Sequence, residues 1–99
     1  MSDADPGLGL RPPGERAQSA THQTRIDFGL PSSGPVQLHV FGMKGELVRT
    51  LADGERPAGP NSVTWDGRDD RGSQAGAGAY MCRLEGFGSV RVQRLIWIR

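Results

Sequence analysis

From Thr24 onward, glycine or proline interrupts the chain before any apolar stretch is long enough for a helix, and within most stretches apolar residues sit at alternate positions. An extended chain sends successive side chains to opposite faces, so this rhythm predicts short, half-buried strands joined by turns. Ile26, Phe28 and Leu30 alternate with Asp27 and Gly29, and past the turn-like Pro31 to Pro35, Val36, Leu38 and Val40 alternate with Gln37 and His39. Gly42 to Gly45 suits a hairpin loop into Leu47 to Leu51. The phase there is ambiguous, since Leu47 and Leu51 fall on one side and Val48 on the other. Ala52 to Pro60 reads as a Gly/Pro-rich connection, Ser62 to Trp65 as a short strand with Val63 and Trp65 on one face, and Asp66 to Gly78 as a long polar loop. Tyr80, Cys82 and Leu84 again alternate with polar neighbours, and Gly86 to Gly88 forms a hairpin into Val90, Val92 and a closing Arg94 to Ile98. Helix competes only over Gly45 to Asp53, where the flanking Gly and Pro leave no room for three turns. The expected fold is all-β, an antiparallel β-sandwich of about seven short strands.

Met1 to Gln23 has neither period and is rich in Gly, Pro, Ser and charge, so residues 1–23 are expected to form a disordered tail or interdomain linker. Residues 24–99 are the expected domain. With 99 residues in all, including 15 Gly and 7 Pro, a single modest core is all the chain can build. Trp65 is its expected anchor, because a buried indole removes roughly 200 Å² from water. The final strand is apolar on both phases from Leu95 to Ile98, which fits either core packing or a face turned to a neighbour, and core packing is the expectation.

Charge excludes some functions. Twelve basic and 11 acidic residues leave a formal net charge of +1, interleaved along the chain without the basic stripe that nucleic acid requires. Lys44 is the sole lysine, which reads as codon bias toward Arg. No apolar run approaches the roughly 20 residues needed to cross a bilayer, and Met1 to Leu10 lacks the pattern of a signal peptide. Taken literally this reading frame is not exported, although a piece of a longer secreted protein would look the same. Cys82 has no cysteine to pair with.

Candidate chemistry is sparse. Asp66, Asp69 and Asp70 place three carboxylates in one loop, where a hard cation could find oxygen ligands. The loop nonetheless lacks the acid alternation and the twelfth-position Glu of an EF-hand, and Arg68 and Arg71 offset its charge. The expected role is internal: Asp66 and Asp69 accept hydrogen bonds from nearby amides, and Gly67 and Gly72 take positive φ. His22 and His39 are expected at the surface without partners. Cys82 shares a phase with Tyr80 and Leu84, as a buried small apolar side chain would. Gly76 to Gly78 follows no strand that opens onto a helix and so is not a phosphate cradle. No nucleophile motif such as G-x-S-x-G occurs. Catalytic, cofactor and metal residues are therefore expected to be none.

Several short motifs, in order, resemble one family. Thr24 to Pro31 resembles the opening T-x-I-x-F-x-L-P of the FlgD-type immunoglobulin-like domain; Gly45 to Leu51 is similar to its G-x-x-V-R-T-L, Pro57 to Gly59 to its P-A-G, and Val63 to Asp69 to its V-x-W-D-G-x-D. Gly72 and Gly78-Ala79-Tyr80 match its later positions. The resemblance implies an immunoglobulin-like sandwich over Thr24 to Arg99 whose motif residues serve core and turns, not catalysis. Such domains occur in the flagellar hook-capping protein and as terminal domains of secreted bacterial proteins, where they are similar to the sorting domains of type IX secretion. Ahead of Thr24 the sorting pattern usually has N-P-F or N-P-A, and Ala17 to Gln23 stands here instead. The implied function is a non-catalytic carboxy-terminal accessory or sorting module of a secreted or cell-surface bacterial protein. Its partners would be upstream domains or secretion and surface machinery, met through strand edges and polar loops, chiefly Asp66 to Gly78. The alternative is a structural domain of a flagellar hook cap, and a calcium-dependent adhesion domain is a third possibility.

Overall fold

Two β-sheets face each other across an apolar layer in the computed structural model, which describes residues 8–10, 19–20 and 23–98. The strands are β1 (Gly9–Leu10), β2 (Ser19–Ala20), β3 (Thr24–Leu30), β4 (Gly34–Gly42), β5 (Leu47–Arg56), β6 (Gly59–Trp65), β7 (Gly78–Gly86) and β8 (Ser89–Trp97). One sheet has the order β1-β3-β6 and the other β2-β8-β7-β4-β5. Every pairing is antiparallel except that of β2 on β8. The architecture is the expected all-β, immunoglobulin-like sandwich, with six long strands and two of two residues each among the described residues.

The alternation in sequence becomes the core. Ile26, Phe28, Leu30 and Trp65 project from the smaller sheet, and Val36, Leu38, Val40, Cys82, Leu84, Leu95 and Trp97 meet them from the larger one, all buried. Burial of each large apolar side chain contributes roughly 1.5–3 kcal/mol, so this layer supplies the main folding drive. Trp65 is fully buried, as an anchor should be, and Trp97 lies beside it with ring centroids 5.1 Å apart. The last strand thus packs Leu95 and Trp97 into the core while Val90 and Val92 remain exposed on the opposite phase.

The segment Ala52 to Pro60 differs from the expected connection. β5 continues through Arg56, because Gly34 to Gln37 of β4 offer a ladder to Asp53 through Arg56, and only Pro57 and Ala58 separate β5 from β6. Backbone pairing overrides the Gly/Pro-rich composition there. The ambiguous phase of β5 also has a cause. Its register against β4 shifts twice: Leu51 lies between the partners of Leu38 and His39, and Val48 between those of Val40 and Phe41. Each shift is a bulge that resets which face a side chain meets, so Leu47 is exposed while Val48 and Leu51 are half-buried.

A second difference lies at the amino terminus. Leu8 is buried in the core, β1 pairs with β3 through Gly9 to Gly29 and Leu10 to Phe28, and β2 pairs with the end of β8. These residues join the sandwich where a tail or linker was expected; two-residue strands are too short to establish a period that sequence could reveal. For residues 1–7, 11–18 and 21–22, including His22, the expectation lies outside the described residues.

Candidate functional site

The Asp66 to Gly78 loop holds the densest set of polar side chains, and its hydrogen bonds turn inward. Asp66 Oδ1 accepts from Arg68 N at 3.0 Å and from Arg49 Nη1 at 3.1 Å. Asp69 Oδ1 accepts from Arg71 N and Ser73 N, each at 2.9 Å. Gly67 and Gly72 have φ of 80° and 90°. The loop is therefore ordered as expected, by carboxylates satisfying amides that a turn leaves unpaired. Arg68 O receives both Arg49 Nη1 and Trp65 Nε1 at 3.0 Å, which ties the loop to the core indole.

Asp70 does something the sequence did not disclose. Its amide donates to Val48 O at 2.9 Å and its Oδ1 accepts from Thr50 N at 3.0 Å, so one residue caps the outer edge of β5 at Val48 and Thr50. Arg49, between these two positions, has Nε 3.8 Å from the same carboxylate oxygen. An open strand edge invites pairing with another chain, and this one is capped over its first turns by a loop residue, beside the two bulges. Arg49 and Asp70 are 21 positions apart, and no local pattern signals such a pair.

What the three loop carboxylates can do chemically is limited by these bonds. Each already uses Oδ1 for protein donors, and among the described residues no three acidic, His or Cys side chains gather as a metal site would require. Cys82 is fully buried between Val40 and Gln93 on the neighbouring strands. Burial pushes its thiol from 9.0 up to about 12, far from the reactive thiolate range. His39 lies on the outer face of β4, its ring tilted 5.8 Å from Phe41, with Arg83 as its cross-strand neighbour. Tyr80 stands edge-on to Trp65 at 5.3 Å and donates its hydroxyl to Gly76 O; burial first, and the Glu46 charge second, raise its phenol. No helix is long and apolar enough to cross a membrane among the described residues.

Among the described residues, two open clefts flank the sheets. One lies on the outer face of the smaller sheet, between Arg25, Asp27, Pro60, Asn61 and Ser62, where Arg25 Nε donates to Asp27 and Ser62 along its wall. The other lies at the far end of the larger sheet, where Asp53, Glu85 and Phe87 surround Val36. Beside that cleft the β7–β8 hairpin turns through Phe87 and Gly88 alone, both at positive φ.

The same sandwich recurs in known proteins, and the family profile of the FlgD Ig-like domain matches residues 14–87. The chain belongs to the FlgD Ig-like domain family. Its W-D-G-x-D segment is the loop just described, with Trp65 in the core and Asp66 and Asp69 bonded to turn amides. Among solved structures, FlgD from P. aeruginosa superposes with a TM-score of 0.56 at 24% identity, over 77% of this chain and 66% of that one. The dimeric latent PorU of Porphyromonas gingivalis matches with a TM-score of 0.63 at 16% identity, over 92% of this chain but 9% of its own. PorZ of the same organism, described as an essential surface component of the type IX secretion system, gives 0.52 at 16%, over 94% and 12%. These likenesses establish the fold, and the chain spans less than two-thirds of each of these proteins. No curated protein matches the chain.

Proposed function

We propose that this FlgD Ig-like domain is a non-catalytic carboxy-terminal accessory or sorting module of a secreted or cell-surface bacterial protein, acting by protein–protein recognition. The observation that carries the reading is the place of the fold in its neighbours: it makes up 9% of PorU and 12% of PorZ, the second a surface component of type IX secretion. A unit that small in a long chain serves the rest of that chain. The buried thiol and the inward-bonded carboxylates fit a module that binds and does not turn over a substrate. Its partners would be upstream domains of the parent polypeptide and the machinery that exports or retains it, outside the cell or at its surface.

The flagellar reading stays in view because FlgD itself superposes over 77% of this chain. In that case the domain would be a structural part of a hook-capping assembly. Removal of residues 24–99 from the polypeptide that carries them separates the two. The sorting reading expects the truncated protein to be retained inside the cell or lost from the surface, and unchanged export and attachment would overturn it.

A further inference from the structure

The five-stranded sheet ends at β5 on one side and, beyond the two residues of β2, at β8 on the other, and the two sides are treated unequally. β5 is bulged twice and capped by Asp70. β8 is unbulged along nine consecutive pairs with β7, from Gly86↔Ser89 to Gly78↔Trp97, and on its outer side β2 reaches only Ile96 and Trp97. From Ser89 to Leu95 no strand lies beside it among the described residues. Because Gly86 and Ser89 close a two-residue hairpin, Ser89, Arg91, Gln93 and Leu95 bond to β7, and the amides and carbonyls of Val90, Val92 and Arg94 face outward. The pairing of Ile96 with β2 has the same parity.

Side chains along that edge add two signals. Val90 and Val92 are 41% and 52% exposed on the outer face, a short apolar row at an edge that no described strand pairs. Arg91 and Arg94 are exposed too, and no carboxylate lies within ion-pair distance of either among the described residues, in contrast to Arg25, Arg49 and Arg83. Arg91 Nη1 donates to Val90 O at 3.1 Å, which lays the guanidinium along this side of β8.

We propose that β8 from Val90 to Arg94 accepts an extended segment of a partner protein as an added strand, and that this segment alternates carboxylates with apolar residues. The outward amides would supply the ladder, Val90 and Val92 the apolar contacts on the outer face, and Arg91, on the opposite face, the preference for acidic side chains. A second copy of this chain is a poorer occupant. Two β8 edges would set two guanidinium groups on each face of the joined sheet, and the β5 edge is closed where its cap sits. The inference rests on the reading of the domain as a recognition module and names the surface it would use.

The test is a titration of the isotope-labelled full chain with a short acetylated peptide alternating Glu and Val, followed by amide shifts. Shifts are expected at Val90, Val92 and Arg94, and a peptide alternating Lys and Val should give none. Val92→Pro should abolish them without unfolding the chain, since proline is tolerated where a strand amide faces solvent. R91E should weaken binding by about tenfold, with the fold intact. Absent or scattered shifts, or equal binding of the Lys peptide, would overturn the proposal. So would β8 shifts that depend on protein concentration alone, which would make a second copy the occupant. Protection of Val90 to Arg94 from hydrogen exchange before any peptide is added would also overturn it, because the chain would then cover its own edge. None of these outcomes depends on export, so the edge and the module reading can fail separately.

Discussion

Gly67 lies directly on the Trp97 indole: a Cβ built on this glycine would fall onto ring atoms Cζ2, Cε2 and Cη2. Its φ of 80° is also a conformation that L side chains resist. The glycine after Trp65-Asp66 is therefore required twice, once by the turn and once by an aromatic ring contributed by the last strand. Gly67→Ala should cost about 3 kcal/mol, the sum of positive-φ strain and overpacking. Denaturant unfolding would measure it, and the cost should fall by about half in a Trp97→Leu background. An unchanged cost there would show that the ring is not what the methyl meets.

The two tryptophans should respond differently to truncation. Trp65 Nε1 donates to Arg68 O, whereas Trp97 Nε1 is buried with no acceptor among the described residues. Phenylalanine at 65 loses area and a bond that holds the loop; at 97 it loses area and removes an unsatisfied donor. Trp65→Phe is expected to cost about 3 kcal/mol and Trp97→Phe about 1. Equal midpoint shifts in urea would contradict this assignment.

Asp70→Ala should uncover the β5 edge. Its carboxylate is the acceptor for the Thr50 amide, and an unpaired edge amide exchanges with solvent more readily. Thr50 exchange is expected to quicken about tenfold at a stability cost of about 1 kcal/mol, with greater self-association on heating. Asp66→Ala, which leaves Thr50 bonded, should spare that amide.

The core was legible wherever the two-residue period ran unbroken. Ile26, Phe28 and Leu30, then Val36, Leu38 and Val40, are buried as their spacing requires. Legibility failed at β5, because a bulge changes phase without changing composition, and at Asp53 to Arg56, because a ladder partner decides strand length more than the residue types do. Leu8 could not be foreseen, since its burial depends on β1 meeting β3 and on no local pattern. In the polar loop, spacing revealed the Asx-type turns at Asp66 and Asp69, both of which close within a few residues. The Asp70 cap and its Arg49 neighbour are contacts between distant segments and left no mark in sequence.

Phe87 occupies a turn position with φ of 52°, beside Gly88 at 74°, so the β7–β8 loop has the form that Asn-Gly or Gly-Gly usually fills. A bulky residue there costs about 1–2 kcal/mol relative to one that tolerates the left-handed region. Its phenyl ring recovers part of that by lying against Gly34, where a Cβ would meet Cζ at 3.0 Å. Phe87→Asn should raise stability by about 0.5–1 kcal/mol in thermal or denaturant unfolding. A loss of stability would mean that the ring's cover of Gly34 outweighs the strain.

Cys82 sets an alkaline limit on the fold. Its thiol, buried among apolar side chains, titrates near 12 in the folded chain and near 9.0 when exposed, with desolvation as the cause. Between those values the unfolded chain has released the proton and the folded chain still holds it. Unfolding then releases protons, so stability falls as pH rises, by about 1.4 kcal/mol for each pH unit in that window. Well below pH 9 both states hold the proton and this dependence vanishes. Cys82→Ala, although it costs stability at neutral pH by leaving a small cavity, should flatten the dependence between pH 9 and 12. The slope that remains comes in part from Tyr80, whose raised phenol acts in the same direction above pH 10. Urea midpoints at several alkaline pH values, compared between the parent chain and Cys82→Ala, measure the difference. Parallel curves would show that the thiol ionises as easily in the folded chain as in water.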